Sequence, residues 1–449
     1  MPFMPFNILW IWFRGLLSIA ILGGGLYLLS RWYDDSRVVE RVSVPATAAG
    51  PDDVRRDPEG KPIATETPAP AVRVFRFEPG WNRPTYELAG ALALLAWASL
   101  GRWIGSGVRS LTLRTGEAPS AAPEAAPARR AGDDRADAPP EPDVDPYGDR
   151  HGEVHKVRRP DGSELRIECY GPPDAPPIVW SHGWGADSTE WFYQKRFLAD
   201  RFRLIVWDIP GMGLSKKPDD DDFSLENLAG ALKDVIAFAG ERPVLLAGHS
   251  IGGMITLTLA REHPELLGTR VAGLALVHTT YTNPVRTTRM AAFYTSIEKP
   301  VIVPLLYLTI GLWPLAWAMM WLSYLNGSAH RSTHKSSFSG NETRGQLDFI
   351  SRFVPMCRPD VLARGMLGML AYDATEALPR IPVPTLVVVG DKDTTTPPEC
   401  GDFIAEHVPS AELVKLAPAK HMGLFEHHGP FNRAIARFAS RCQAGERVV

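Results

Sequence analysis

Gly248-His249-Ser250-Ile251-Gly252 sets a serine between two glycines, with Gly253 directly after. An apolar run, Val244–Ala247, precedes it, and a helical pattern, Met254–Arg261, follows. Strand, tight turn and helix in that order predict a serine in strained backbone geometry with its hydroxyl raised above a sheet, where small neighbours let strand and helix approach. A serine hydroxyl is a weak nucleophile, so it needs a base, and the base needs an orienting group. Two later segments supply both. Thr385–Val389 runs into Gly390-Asp391-Lys392-Asp393, where Asp393 holds the better post-strand position and Asp391 is the alternative. Glu412–Leu416 runs through a short loop to His421. The chain order Ser250, Asp393, His421 is nucleophile, acid, base. It predicts acyl chemistry in which His421 takes the hydroxyl proton while Asp393 fixes its tautomer and stabilises the imidazolium.

The remaining requirement is a pair of donors for a developing oxyanion. Ser181-His182-Gly183-Trp184-Gly185 is a glycine-rich loop after an apolar strand, and the main-chain N–H groups of Trp184 and Ile251 are the predicted donors. His182 is read as a brace for that loop, with a second base as its rival role. Asp208, in WDIPGMGLS, reads as a strand-end structural group. The run Asp219–Asp222 reads as solvated acids rather than a calcium loop, so no metal site is expected. His427 and His428 are expected on a following helix, facing solvent.

The elements that must position these residues are legible from about residue 150 onward. HKVRRPDGSELRIECYG reads as two strands about a PDG turn. PPIVWS, FRLIVW, PVLLAG, VAGLALV, PTLVVVG and AELVKL are short buried strands separated by helical patterns. That alternation predicts an α/β fold with a mostly parallel sheet flanked by helices, its chemistry at the carboxyl ends of the strands.

The segment from His151 to Arg441 resembles the α/β-hydrolase superfamily in SHGWG, WDIPGMGLS, GHSIGG, GDKDTTTP and the His421 loop. The resemblance implies the α/β-hydrolase fold and a serine mechanism. Epoxide and haloalkane hydrolases of the superfamily carry aspartate at the elbow, so Ser250 disfavours those activities. Other relatives cleave esters, thioesters, amides or carbon–carbon bonds, transfer acyl groups or carry out cofactor-free perhydrolysis. Relatives also place a cap over the site between the strand ending near His278 and the strand starting at Thr385, here about 280–380.

Within that interval, Val301–Ala329 contains no charged residue. Its length suits a membrane span, but one crossing would put Ser250 and the Asp393–His421 pair on opposite sides of the bilayer. A buried cap, a surface-embedded helix or a re-entrant pair bent near Pro314 remain. Trp313, Trp317 and Trp321 recur every fourth residue and form one stripe if helical. They are candidate contacts for an apolar acyl chain.

The first 150 residues are of another kind. Residues 8–29 are apolar apart from Arg14 and match a hydrocarbon core about 30 Å thick. Trp10, Trp12, Trp32 and Tyr33 lie at the ends of this run, where amphipathic rings favour the headgroup region. A retained membrane helix is expected, with a cleaved signal peptide as the alternative. A second apolar run, 88–104, is expected to span or to lie at the interface, and positive charges do not fix the orientation. Residues 115–149, rich in Ala, Pro, Asp and Glu, read as a disordered linker. The expected organisation is therefore an anchor region 1–114, a linker 115–149 and a hydrolase domain 150–449.

Averages conceal this segregation. The 449 residues are 45% apolar and 22% charged, with a net charge of −3. That excludes wholesale disorder and gives no basic footprint for nucleic acid. Six of the 13 tryptophans precede residue 104, and three more fall in the charge-free cap segment. Four cysteines without a CxxC pair predict neither a disulfide framework nor a zinc site. The expected function is a membrane-anchored serine esterase or lipase that needs no cofactor and acts on a lipophilic acyl ester, with membrane lipid as its other partner. An acyltransferase, thioesterase or perhydrolase using the same triad is the alternative within enzymes, and a non-catalytic membrane scaffold the alternative outside them. Oligomeric state is not legible.

Overall fold

A computed structural model describes residues 5–41, 58–60, 71–112, 152–288 and 290–444. The expected linker, 115–149, lies outside the described residues. The chain divides into two compact units, Ser18–Gly101 and a larger one made of Met1–Leu17 with Arg102–Val449.

Helix α1 (Pro5–Asp35) encloses the apolar run 8–29. Over Ile11–Asp35 it is, among the described residues, the one unbroken helix long and apolar enough to cross a membrane. In the smaller unit, strands β1 (Arg37–Arg41) and β2 (Ala71–Phe75) pair antiparallel. Helix α2 (Arg83–Thr112) follows and contains the 88–104 run; most of its side chains beyond Gly101 lie outside the described residues. Glu87 sits 2.9 Å from Arg83 and 4.0 Å from Arg31, tying α2 to α1. Trp32 meets Phe75 edge to face at 5.6 Å, which seats the ribbon on α1.

The larger unit is built on one eight-stranded sheet. Its strands are β3 (Glu153–Arg158), β4 (Glu164–Tyr170), β5 (Pro177–Ser181), β6 (Arg203–Trp207), β7 (Val244–His249), β8 (Val271–Val277), β9 (Thr385–Gly390) and β10 (Ala411–Leu416). Their spatial order is β10-β9-β8-β7-β5-β6-β4-β3. The two pairings that involve β4 are antiparallel and the rest are parallel. Every residue of β5, β7 and β9 is buried, because both faces of the sheet are covered. Alternation sorts their side chains: Val244 and Leu246 enter the core on one face, Leu245 and Ala247 the core on the other.

Helices α3 (Phe192–Leu198), α4 (Leu225–Phe238) and α5 (Ile251–Glu262) connect the first parallel strands. Between β8 and β9 comes the cap: α6 (Pro284–Thr287), α7 (Ala291–Ile297), α8 (Val303–Gly311), α9 (Trp313–Leu325), α10 (Ser328–Ser337), α11 (Arg344–Met356) and α12 (Pro359–Ala371). The chain closes with α13 (Pro398–His407), α14 (Gly423–Glu426) and α15 (His428–Ala444). Strand order reverses at β5, which has β6 on one side and β7 on the other. The loops after β5 and β7 are thereby brought side by side, the switch point where α/β sheets bind ligands.

Candidate active site

Ser250 occupies the turn between β7 and α5 with φ 53° and ψ −116°, a left-handed conformation that costs a residue with a side chain about 1–3 kcal/mol. The turn is held on both sides: Ser250 N donates to Val277 O at 2.9 Å, and Thr279 Oγ1 donates to Ser250 O at 2.6 Å. Its glycines are steric requirements. A Cβ on Gly252 would stand 2.2 Å from Ser181 O, so the first turn of α5 lies directly against the end of β5. This close approach sets the start of α5 beside the loop that carries Trp184.

Among the described residues, neither Trp184 N nor Ile251 N has a hydrogen-bond partner. His182 fixes the loop around the first of these amides. Its Nδ1 lies 2.8 Å from Gly183 O and its Nε2 accepts from Ile209 N at 3.0 Å, which uses both ring nitrogens and specifies the Nδ1–H tautomer. That is the bracing role and leaves no nitrogen for a second base. The Trp184 indole donates to Leu362 O at 3.1 Å, pinning the loop to α12 of the cap.

Asp393 and His421 meet at the ends of β9 and β10. His421 Nδ1 lies 2.7 Å from Asp393 Oδ2, and both side chains are fully buried. The other carboxylate oxygen accepts from Thr395 N at 2.7 Å and Thr396 N at 3.1 Å, while Thr396 Oγ1 donates to Oδ2 at 2.9 Å. Burial opposes ionisation of Asp393, but His421 and the hydrogen bonds hold its pKa well below the ordinary carboxylate range. Burial pulls the His421 pKa down to about 4 against the opposing pull of Asp393, so the ring is neutral at pH 7. Its Nε2 is buried and, among the described residues, has no hydrogen-bond partner. Asp391, the alternative acid, instead accepts from Ala419 N at 2.8 Å and braces the loop before His421.

Three buried groups at this site escaped the sequence. Glu190 accepts from Gly183 N at 2.7 Å and lies 3.0 Å from His249 Nδ1, linking the Trp184 loop to the residue before Ser250. His249 Nε2 continues to His421 O at 3.2 Å, and the two rings lie 4.9 Å apart. Burial opposes ionisation of Glu190, yet the His249 ring and the Gly183 amide leave its pKa below the ordinary value. His278, directly after β8, puts Nδ1 3.4 Å from Asp393 Oδ2, and burial lowers its pKa. His249 stands inside the serine motif and His278 directly after a buried strand, so each carried a positional signal, whereas Glu190 sits in the short turn Ser188–Trp191 and carried none.

His278, Asp393 and His421 present ligand atoms within 4.8 Å of one another. Here Asp393 Oδ2 is already paired with His421 Nδ1, and the Thr395 and Thr396 amides hold Oδ1, so the cluster is organised as a hydrogen-bond network rather than an open coordination site. Asp208 accepts from Ser188 N at 2.7 Å and Leu214 N at 2.9 Å, a structural role. In the acidic run, Asp219 pairs with Lys216 at 2.9 Å and Asp221 with Arg364 at 3.1 Å. His428 does not face solvent as expected: it stacks on Tyr193 at 4.0 Å, and the flat apolar face it covers explains the difference.

The tryptophan stripe divides on folding. Trp317 Nε1 donates to Pro355 O at 2.8 Å, Trp313 lies under the Arg358 guanidinium at 4.3 Å, and Trp321 is 43% exposed. These contacts are with other cap helices and solvent. The site itself is buried: Ser250 is 4% exposed and His421 is fully buried. Met422 N donates to Ser337 O at 2.9 Å, and Ser339 Oγ donates to Pro418 O at 2.8 Å, lacing the cap to the His421 loop as well.

A strained serine elbow beside a glycine loop, with an Asp–His pair after the last two strands, defines a hydrolase of the α/β class. Residues 178–434 match the Alpha/beta hydrolase family, and the chain belongs to it. It is similar to "Putative carbamate hydrolase RutD" of Stutzerimonas stutzeri, 26% identical over 281 residues, 62% of this chain and 98% of that protein. It is likewise similar to the pimeloyl-acyl-carrier protein methyl ester esterase of Legionella pneumophila, 26% identical over 276 residues, 61% of this chain and 98% of that protein. The esterase EaEST from Exiguobacterium antarcticum shares the fold with a TM-score of 0.53 at 20% identity, covering 64% of this chain and all of its own. A thermophilic esterase from Thermogutta terrifontis does so with a TM-score of 0.52 at 24% identity, over 65% of this chain and 99% of its own. These relatives identify the chain as an enzyme of the esterase type.

Proposed function

We propose that this chain is a membrane-anchored serine hydrolase that cleaves a lipophilic carboxylic ester through an acyl-enzyme. The observation that carries the chemistry is the 2.7 Å contact between His421 Nδ1 and Asp393 in the same buried site as the strained Ser250 turn. Ser250 Oγ attacks the ester carbonyl carbon and its proton passes to His421 Nε2. The Trp184 and Ile251 amides receive the negative charge that develops on the carbonyl oxygen. Collapse expels the alcohol, which takes the proton from His421. Water then repeats the sequence on the acyl-enzyme and releases the acid. Asp393 keeps the proton on Nδ1 in the resting ring and stabilises the imidazolium.

Anchoring is supported by the length and apolarity of α1. The lipophilic substrate is supported by the charge-free segment Val301–Ala329 between β8 and β9. The relatives' names, a carbamate hydrolase and a methyl ester esterase, favour cleavage of an acyl–oxygen or acyl–nitrogen bond over a scaffold role. The test is a rate profile over esters of increasing acyl length, with and without added thiol, alcohol or peroxide acceptors. Rates should rise with chain length, acceptors should leave acid release unchanged, and Ser250→Ala should abolish turnover. A preference for short water-soluble esters would sink the lipid substrate, and product diverted to an acceptor would replace hydrolysis with acyl transfer.

A further inference from the structure

Helices α8 and α9 carry no charge, yet one side of each is uncovered. On α8 the exposed positions are Pro304, Tyr307, Leu308 and Gly311; on α9 they are Pro314, Leu315, Ala318 and Trp321. Each set falls on a single side of its helix, while Leu306, Thr309, Ala316, Met319 and Met320 turn inward. Tyr307 is 61% exposed and Leu315 45%. Exposed apolar faces of this kind mark an interaction site.

The first turns of α1 indicate what covers it. Trp12 Nε1 donates to Thr309 Oγ1 at 3.0 Å. A Cβ on Gly15 would stand 2.1 Å from Met319 Cε, so the α1 backbone lies directly on α9. Ile11 packs in the same core as Ile302, Leu306 and Met320. Arg14, the one charge of the apolar run, is buried, whereas Phe13 and Leu16 in the same turns are 56% and 57% exposed. Beside the cap, then, α1 turns its charge inward and its apolar side chains outward.

We propose that the bent pair α8–α9 enters one leaflet of a lipid bilayer as a re-entrant elbow, clamped there by the first turns of α1, so that substrate reaches Ser250 from the lipid side. The two helices have 9 and 13 residues. At a rise of about 1.5 Å per residue each is shorter than a hydrocarbon core of about 30 Å. The helical run Ala291–Gly311 and α9 meet at a 97° bend, so the chain turns through about a right angle at Leu312 and does not run straight across. Ser250 and the Asp393–His421 pair then stay on one side of the membrane. The inference deepens the reading above and rests on α1 being a retained membrane helix.

Depth-dependent quenching tests it on the full-length protein in phosphatidylcholine–phosphatidylglycerol vesicles doped with nitroxide-labelled lipid. Cys169, Cys357 and Cys400 are buried, so a Cys442→Ser background accepts single fluorophore sites. Leu308→Cys and Leu315→Cys report the elbow, Leu26→Cys the anchor and Glu241→Cys the solvent. The elbow probes should be quenched by lipid nitroxide as strongly as the anchor probe and shielded from aqueous iodide, with the reverse at position 241. Quenching at 26 without quenching at 308 and 315 overturns the elbow and leaves an anchored hydrolase standing. No quenching at all three overturns both. Gly15→Leu, which forces α1 off Met319, should slow a long-chain ester held in vesicles by about tenfold while a short soluble ester keeps its rate within about twofold. Equal effects on the two substrates would overturn the clamp.

Discussion

Strand β7 and helix α9 are both apolar, and their surroundings could hardly differ more. All six residues of β7 are buried. Of the thirteen residues of α9 five are buried, although none is charged. Apolar content therefore does not decide burial; what decides it is whether the fold supplies cover on both sides. The sheet is covered by helices on each face and serves as a rigid platform for Ser250, Asp393 and His421. Helices α8 and α9 are covered on one face only, and their other apolar face is exposed. The covered sheet and the half-covered helices are thus separate parts of one unit.

The platform should break catalytically under small polar changes. Asp393→Asn keeps the shape but gives His421 a partner that permits the wrong tautomer, and kcat should fall by about 10³–10⁴ with KM little changed. Steady-state kinetics on the preferred ester checks this; a loss below tenfold would remove Asp393 from the account. Packing separates the two regions next. Leu246→Ala, at a 1% exposed site in β7, should cost about 2–5 kcal/mol of stability. Leu315→Ala, at a 45% exposed site, should change it by about 0.5 kcal/mol or less. Denaturant unfolding of the detergent-solubilised protein distinguishes them, and equal losses would deny the contrast between the regions. Glu190→Gln weakens the charge-assisted contacts to Gly183 N and His249, and should lower stability by about 1–3 kcal/mol together with kcat.

The response to pH reports on the burial of the ring itself. Burial holds the His421 pKa at about 4 in the folded protein. An unfolded imidazole titrates near 6.5, so the unfolded state binds the proton that the folded state refuses. This contribution to stability is complete above pH about 6.5 and declines by up to about 1.4 kcal/mol per pH unit as the pH falls toward 4. Asp393, whose pKa is depressed, adds a further loss only below its unfolded value of about 3.9. The acid limb of kcat/KM should accordingly lie below the ordinary histidine range. A limb centred at 6.5 would contradict the burial of the ring.

Legibility followed the range of the interactions. The Ser250 turn was readable because its chemistry depends on neighbours in sequence: β7 before it, glycines beside it, α5 after it. The strands were readable for the same local reason. Choosing Asp393 over Asp391 as the group near His421 rested on position alone, and the structure adds the physical reason, since the Ala419 amide occupies the Asp391 carboxylate. The roles of Glu190 and His278 were not legible, because each acts through partners brought together only by the sheet order. The tryptophans at 313, 317 and 321 share a helical spacing, but packing against α11 and Arg358 separates them from one another in environment. The seat of α1 on the cap was equally hidden, since about 300 residues separate Trp12 from Thr309 in sequence.

The acyl-enzyme mechanism proposed above depends on Ser250 as the nucleophile. Covalent labelling with a long-chain fluorophosphonate, followed by mass-spectrometric mapping of the adduct, tests it most directly. One adduct is expected, on Ser250, absent in Ser250→Ala and formed far more slowly in His421→Ala. A folded protein that stays unlabelled, or that carries the adduct on another residue, would contradict it.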